Sequence, residues 1–191
     1  FVYFSQNFEQ LGLKRLITTC YKNQSRDLFS QHDSEHAIYL EYTGDRNNNR
    51  VPDPEEIGLK HLKGDGDFRS QECIALLKQA DIVVTNPPFS LFREYVEQLI
   101  EFEKKFLMIG HMNALHYQEI FKLIKENKMW LGNGFENGNA FFFFSGGEQY
   151  GGGVYYTETG LVKFRNVAWF TNLEHQRRHE ELILFKKYND E

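Results

Sequence analysis

The residues best suited to chemistry are Asn86-Pro87-Pro88-Phe89, which follow the apolar run Ile82-Val83-Val84. The two prolines fix φ and remove two backbone donors, so the loop keeps one shape and leaves carbonyls free to accept. Pro87 also biases Asn86 toward an extended backbone, which holds its carboxamide at the tip of the run. Asn86 and the Pro87 carbonyl therefore offer two acceptors. Phe89 adds a large aromatic face on a loop, where burial alone would not put it. Together they suit gripping a planar amino group.

The 6-amino group of adenine is such a group, and a poor nucleophile because its lone pair is delocalised into the ring. Acceptors on both N–H bonds would pull the nitrogen toward tetrahedral geometry and aim that lone pair. Asn86 cannot act as a base at neutral pH, so its task would be aiming and polarising. Phe89 would stack on the base, as in enzymes that swing a nucleotide out of the duplex before acting on it. With a sulfonium methyl as the electrophile, positioning supplies most of what the protein adds. The same four residues also fit a proline-stiffened turn, with Phe89 packed under the next helix. Asp81 lies about five residues before Asn86, or roughly 16 Å at strand rise, and takes a structural or capping role.

A second constellation is GDGDFRS at 64–70. A carboxylate at a strand end followed by an aromatic can bind the amino group and the face of a cofactor adenine. Asp67 and Phe68 are the choice, with Asp65 in reserve, although Gly-Asp-Gly-Asp is also ordinary turn composition. His111 and Asn113 fall in a loop that shares an edge with the NPPF tip if the strands are parallel, and a lone loop histidine is usually just solvated. Phe141–Phe144 alternates across a strand, so two of the four are expected to face inward. One of them, or Phe135, is placed to wall a base pocket. No His/Cys/Asp cluster has metal-ligand spacing. No GxGxxG or GxxxxGK[ST] segment is present, so phosphate-cradle chemistry has no support.

The elements that must position these residues alternate along the chain. A helix ends near Gly12, and strands are expected over Leu13–Cys20, Ala37–Thr43 and Ile57–Leu62. Between the last two lies a turn-rich excursion, Gly44–Pro54. Ser70 caps a helix over Gln71–Gln79. The NPPF strand comes next, then a helix over Ser90–Lys105 that buries Leu91, Phe92, Tyr95, Val96, Leu99 and Ile100. A strand over Phe106–Ile109, a helix over Tyr117–Asn127 and a strand over Met129–Leu131 follow. From Gly132 the texture turns Gly-rich and aromatic, with strands at Val154–Thr157, Leu161–Phe164 and Ala168–Thr171. That is antiparallel β, read as hairpins at one edge of the sheet. The whole predicts a three-layer α/β architecture on a mostly parallel sheet.

The 191 residues are read as one domain, with an α/β part at 1–131 and a β-rich part at 132–191 that is a candidate for DNA contact. Net charge is −5, so bulk electrostatics alone would not hold a nucleic acid. A DNA role needs a local basic face or a partner; for the face the tail offers Arg177, Arg178, Lys186 and Lys187, or these are an ordinary solvated face. Cys20 and Cys73, both in apolar-looking surroundings, are read as reduced thiols of a cytoplasmic protein. No run approaches the ~20 apolar residues that span a bilayer, so no membrane partner is expected.

Five segments together carry a family likeness: LGLKRLITTCYKNQ (11–24), GDGDFRSQE (64–72), ADIVVTNPPFSLF (80–92), FLMIGHMNALHYQEIFKLIKENKMWLG (106–132) and VAWFTNLEHQRRHEEL (167–182). On these the chain resembles the EcoRI-type adenine-specific DNA methyltransferases, amino-methyltransferases that use S-adenosylmethionine. The NPPF loop alone is shared by several amino-methyltransferases; its combination with WFTNLEH is much more specific. The resemblance implies a Rossmann-like methyltransferase sheet with Asn86, Pro87, Pro88 and Phe89 as the catalytic loop. It places Asp67 and Phe68 at the cofactor adenine, and double-stranded DNA with a flipped adenine as the substrate of a restriction-modification system. Such enzymes approach the cofactor ribose through an acid after the first of these strands. Here that loop reads Tyr21-Lys22-Asn23, with no carboxylate until Asp27. They also carry a first strand and loop ahead of the opening helix to cradle the methionine part of the cofactor. This chain begins within the helix that would follow, so its sheet is expected to lack that strand. Two other readings stay open: methyl transfer to RNA or a protein amide, and a catalytically reduced DNA-binding relative.

Overall fold

Short β-branched and aromatic runs build the first of two compact units, Phe1–Gln79; the second is Ala80–Glu191. The computed structural model describes residues 1–22, 37–49, 51–135, 138–143 and 154–180. In the first unit, helix α1 (Val2–Gln6) is followed by turns that close at Gly12, whose φ of +64° a side chain would resist. Strands β1 (Leu16–Thr19), β2 (Ile38–Tyr42) and β3 (Gly58–His61) make one sheet in the order β1-β2-β3. Both pairings are antiparallel, with Leu16 opposite Tyr42 and Ile38 opposite His61. A small core of Ala37, Leu62 and Cys73 lies beneath it, with Tyr39 and Leu76 packed against it. Helix α2 (Gln71–Gln79) starts where expected, and the Ser70 hydroxyl accepts the Cys73 N–H at 3.2 Å. The turn-rich excursion is knit together from within: the buried Glu56 carboxylate accepts the N–H groups of Arg46, Asn47 and Asp53.

The second unit holds strands β4 (Ile82–Thr85), β5 (Lys105–His111), β6 (Trp130–Leu131), β7 (Asn139–Phe143), β8 (Tyr155–Tyr156), β9 (Leu161–Arg165) and β10 (Val167–Thr171). Its helices are α3 (Phe92–Glu101) and α4 (Gln118–Lys125). Four strands form the main sheet in the order β4-β5-β10-β6. Helix α3 is the crossover that lets β4 and β5 run parallel, with Val83 opposite Phe106. Phe92, Val96 and Leu99 on one face of α3 are buried, and Phe106, Met108 and Phe170 are buried in β5 and β10. Gly110 in β5 is what admits this packing, since a Cβ there would sit 2.4 Å from the Phe92 ring and 2.8 Å from that of Phe170.

The α/β class is as expected, but the sheets are mixed rather than mostly parallel. Strand β10 runs antiparallel to both β5 and β6, and the β1-β2-β3 sheet is antiparallel throughout. Strand β10 is also not an edge hairpin. It turns off β9 at Asn166 (φ +57°) and enters the main sheet between β5 and β6. The remaining late strands form a separate sheet in the order β7-β9-β8. Phe141, Phe142 and Phe143 are all exposed, so this strand does not turn half its phenylalanines inward; Phe144 lies outside the described residues. Among the described residues of this three-stranded sheet, Ala140 and Val162 are the buried ones. Cys20 is exposed, contrary to expectation, while Cys73 is buried; both are free thiols. Among the described residues no helix is long and apolar enough to cross a membrane.

Candidate catalytic loop and cofactor residues

Strand β4 ends at Thr85 and delivers Asn86 to the carboxyl edge of the main sheet, where open α/β sheets place ligands. Asn86 is exposed, and its carboxamide makes no hydrogen bond to another described residue. Pro87 is buried and anchors the tip from below. Pro88 is extended (φ −53°, ψ 131°) and caps a 3-10 turn over Phe89–Leu91, its carbonyl accepting the Leu91 N–H at 2.9 Å. The helix proper begins only at Phe92, two residues later than the apolar spacing implied. The extra turn is what lifts Phe89 away from the core. Its ring stays 43% exposed, so it is not packed under the helix.

The neighbour of Phe89 is His111, the last residue of β5. The two rings meet edge-on with centroids 5.9 Å apart. Parallel pairing of β4 and β5 brings both strand ends to one edge, which fulfils the condition set for His111 from the sequence. His111 Nδ1 accepts the Asn113 N–H at 3.1 Å, so in the neutral ring the proton sits on Nε2. Residue type alone gave His111 little weight; the ring contact with Phe89 is a tertiary fact.

In the first unit, the GDGDFRS turn folds against the end of β1. Lys22 N–H donates to the Asp65 carbonyl at 2.7 Å. Gly66 has φ +79°, and a Cβ there would lie 2.6 Å from the Cys20 carbonyl oxygen. Asp65 Oδ1 accepts the Asp67 N–H at 3.0 Å. Asp67 is gripped by Arg69, which donates through Nε to Oδ1 at 2.9 Å and through a terminal nitrogen to Oδ2 at 2.7 Å. That hydrogen-bonded guanidinium is the main cause holding the Asp67 carboxyl below the usual carboxylate range, partly opposed by its burial. Oδ1 also accepts the Arg69 backbone N–H at 2.8 Å, so Oδ2 is the oxygen that keeps lone-pair capacity for a further donor. Phe68 is half-buried, with the Arg69 guanidinium 5.3 Å from its ring centre. The sequence reading missed Glu72, which fastens the loop before this turn by accepting the N–H groups of Lys63 and Gly64 at 2.9 Å each. An acid in the first turn of a predicted helix was the available signal.

The WFTNLEH segment turns out to brace the sheet that carries the tip. Trp169 stacks on Phe135 at 5.3 Å, and the Phe170 ring lies 4.9 Å from that of Phe92. Thr171 Oγ1 donates to the Phe106 carbonyl at 2.6 Å, and Asn172 accepts the Phe106 N–H at 2.8 Å while donating to the Lys104 carbonyl at 2.9 Å. His175 Nε2 sits 3.1 Å from the Leu131 carbonyl. Arg178 lies 3.6 Å from the Trp130 ring centre and bonds Glu174 and Asn127, and Arg177 donates to Asn133 at 2.8 Å. Among the tail cations expected to form a basic face, Lys186 and Lys187 lie outside the described residues, as do Asn23 and Asp27. No group of three or more His, Cys, Asp or Glu among the described residues is placed to hold a metal ion.

Comparison with known proteins places this geometry in context. The family model described as "Adenine-specific methyltransferase EcoRI" matches residues 1–191. The chain is 44% identical to the Type II methyltransferase M.EcoRI of Escherichia coli over 98% of its own length and 58% of that protein. It is 38% identical to the Type II methyltransferase M.MgeORF184P of Mycoplasma genitalium, over 91% of the chain and 50% of the relative. With M.MpnI of Mycoplasma pneumoniae it shares 35% identity, over 97% of the chain and 53% of the relative. The chain thus spans roughly half to three-fifths of the length of these proteins. No solved structure gives a significant match.

Proposed function

We infer the function from a family: this chain belongs to the EcoRI adenine-specific methyltransferases, and on that premise its reaction is methyl transfer from S-adenosylmethionine to the 6-amino group of an adenine in DNA. The observation that carries the reading is the tip itself. An exposed Asn86 carboxamide without a partner among the described residues stands beside a half-exposed Phe89 ring, on a backbone held by two prolines.

Asn86 Oδ1 and the Pro87 carbonyl accept the two N–H bonds of the adenine amino group and aim its lone pair. Phe89 stacks on the base once it has left the duplex, with His111 propping the ring from the side. When bound, S-adenosylmethionine supplies an electrophilic methyl group. Asp67 would accept from the amino group of the cofactor adenine and Phe68 would offer its ring to the base, while Asp65 accepts the Asp67 N–H within the turn. The methylated nitrogen sheds one proton, and water reaching the exposed Asn86 carries it away. Duplex DNA with a flipped adenine is the substrate in this reading, within a restriction-modification system.

The test is incorporation of labelled methyl from S-adenosylmethionine into duplex DNA, RNA and protein by wild-type protein and Asn86→Ala. Transfer to adenine in DNA is expected for the wild type and none for the variant, with cofactor affinity unchanged. Full activity in Asn86→Ala removes the mechanism; label in RNA or protein in place of DNA changes the substrate.

A further inference from the structure

The small sheet β7-β9-β8 has a face that the methyl-transfer reading leaves unused. Register places Asn139 opposite Arg165, Phe141 opposite Lys163 and Phe143 opposite Leu161, with Tyr156 also opposite Leu161. Side chains alternate across a strand, so Phe141, Phe143, Tyr156, Lys163 and Arg165 all share one face. The three rings are exposed, Phe143 at 79%. Lys163 Nζ lies 5.6 Å from the centre of the Phe141 ring. The three strands contain no carboxylate, and Glu158 sits on the β8–β9 turn instead. In a chain of net charge −5, the described residues of this face carry two cations, Lys163 and Arg165, and no carboxylate.

The face also adjoins the candidate catalytic edge. Arg165 is followed by Asn166, whose carbonyl accepts the Met112 N–H at 2.7 Å, and Val167 pairs with His111. His111 in turn touches Phe89. The Arg165 end of the small sheet therefore abuts the strand end that props the Phe89 ring.

We propose that this aromatic and cationic face is a DNA-contact surface: Lys163 and Arg165 meet backbone phosphates, and Phe141 and Phe143 press on bases or sugars disturbed when the target adenine leaves the stack. The proposal rests on DNA being the substrate. Cations neutralise phosphates and release counterions, whereas rings bind unstacked bases without regard to sequence. Solvent-exposed phenylalanines are costly to keep in water, and side chains of this type wedge between base steps in proteins that deform duplexes.

The experiment titrates a fluorescent DNA duplex of mixed sequence, with no cofactor present, against wild-type protein, Lys163→Gln, Arg165→Gln and Phe143→Ala at several salt concentrations. Each cation variant is expected to lower the salt slope of binding by about one. Phe143→Ala is expected to weaken binding roughly ten-fold with little change in that slope. Phe143 is so exposed that its truncation leaves the fold intact, which circular dichroism checks. Wild-type affinity and slope in all three variants overturn the proposal while leaving the catalytic reading standing. A wild-type protein that ignores DNA but self-associates through this face, losing the association in Phe143→Ala, overturns it too. A wild-type protein that ignores DNA and still methylates RNA or protein removes both readings together.

Discussion

The Phe89 ring meets the His111 ring edge-on at 5.9 Å, although the two residues stand at the ends of different strands. Parallel pairing of β4 with β5 makes this possible, and the 3-10 turn over Phe89–Leu91 keeps the ring out of the core. Phe89 is thus held from one side and open on the other, as a stacking surface must be.

Truncating that surface has a measurable consequence. Phe89→Ala is expected to weaken binding of a duplex carrying an unpaired adenine by about 1–3 kcal/mol, the usual worth of base–aromatic stacking. His111→Ala, which only removes the prop, should give a smaller loss. Fluorescence titration measures both, and unchanged affinity in Phe89→Ala would return the ring to a packing role.

Asn172 bridges the start of β5 with two hydrogen bonds, one to the Phe106 N–H and one to the Lys104 carbonyl. Asn172→Ala strands both backbone groups, at a cost of about 1–3 kcal/mol for each one left without water. Chemical denaturation is expected to show a lower midpoint with an unchanged slope. A midpoint equal to wild type would mean that water replaces the side chain.

Gly66 combines a left-handed backbone with a close approach to the Cys20 carbonyl. Gly66→Ala is expected to lose at least ~1 kcal/mol from the backbone conformation alone, with the contact adding to it. Because the turn also carries Asp67 and Phe68, cofactor affinity measured by calorimetry should fall with stability. A variant that unfolds at the wild-type temperature would show that the turn can relax.

Stability should also fall in acid through Glu41, which bonds Lys60 at 2.6 Å and Arg15 at 2.5 Å. The hydrogen bond from Lys60 leads the causes that hold its carboxyl below the ordinary range, with burial opposing and Arg15 adding to it. A carboxyl lowered in the folded state stabilises above its unfolded pKa, and that contribution is lost as pH falls through the folded value. Thermal melts of wild type and Glu41→Gln should therefore differ at neutral pH and converge below the carboxylate range. The gap should shrink in salt, because both partners are partly exposed. A gap that persists in acid would assign the effect to packing.

Much of the local structure was legible because it depends on neighbours in the chain. Ser70 before an apolar stripe located α2, the β-branched run located β4, and Pro87-Pro88 stopped that strand and stiffened its tip. The motif segments likewise sufficed for the family. Tertiary structure decided what depends on distant partners. Strand β10 sits between β5 and β6 because residues 167–171 find residues 107–111, a pairing that no local period encodes. The phenylalanines of β7 are exposed because alternation gives a strand two faces without saying that either will be covered. The role of WFTNLEH as a brace, and of His111 as a prop, required strand ends brought together across the sheet. Residue types supplied the chemistry of the tip; only the fold decided that Asn86 and Phe89 would face outward.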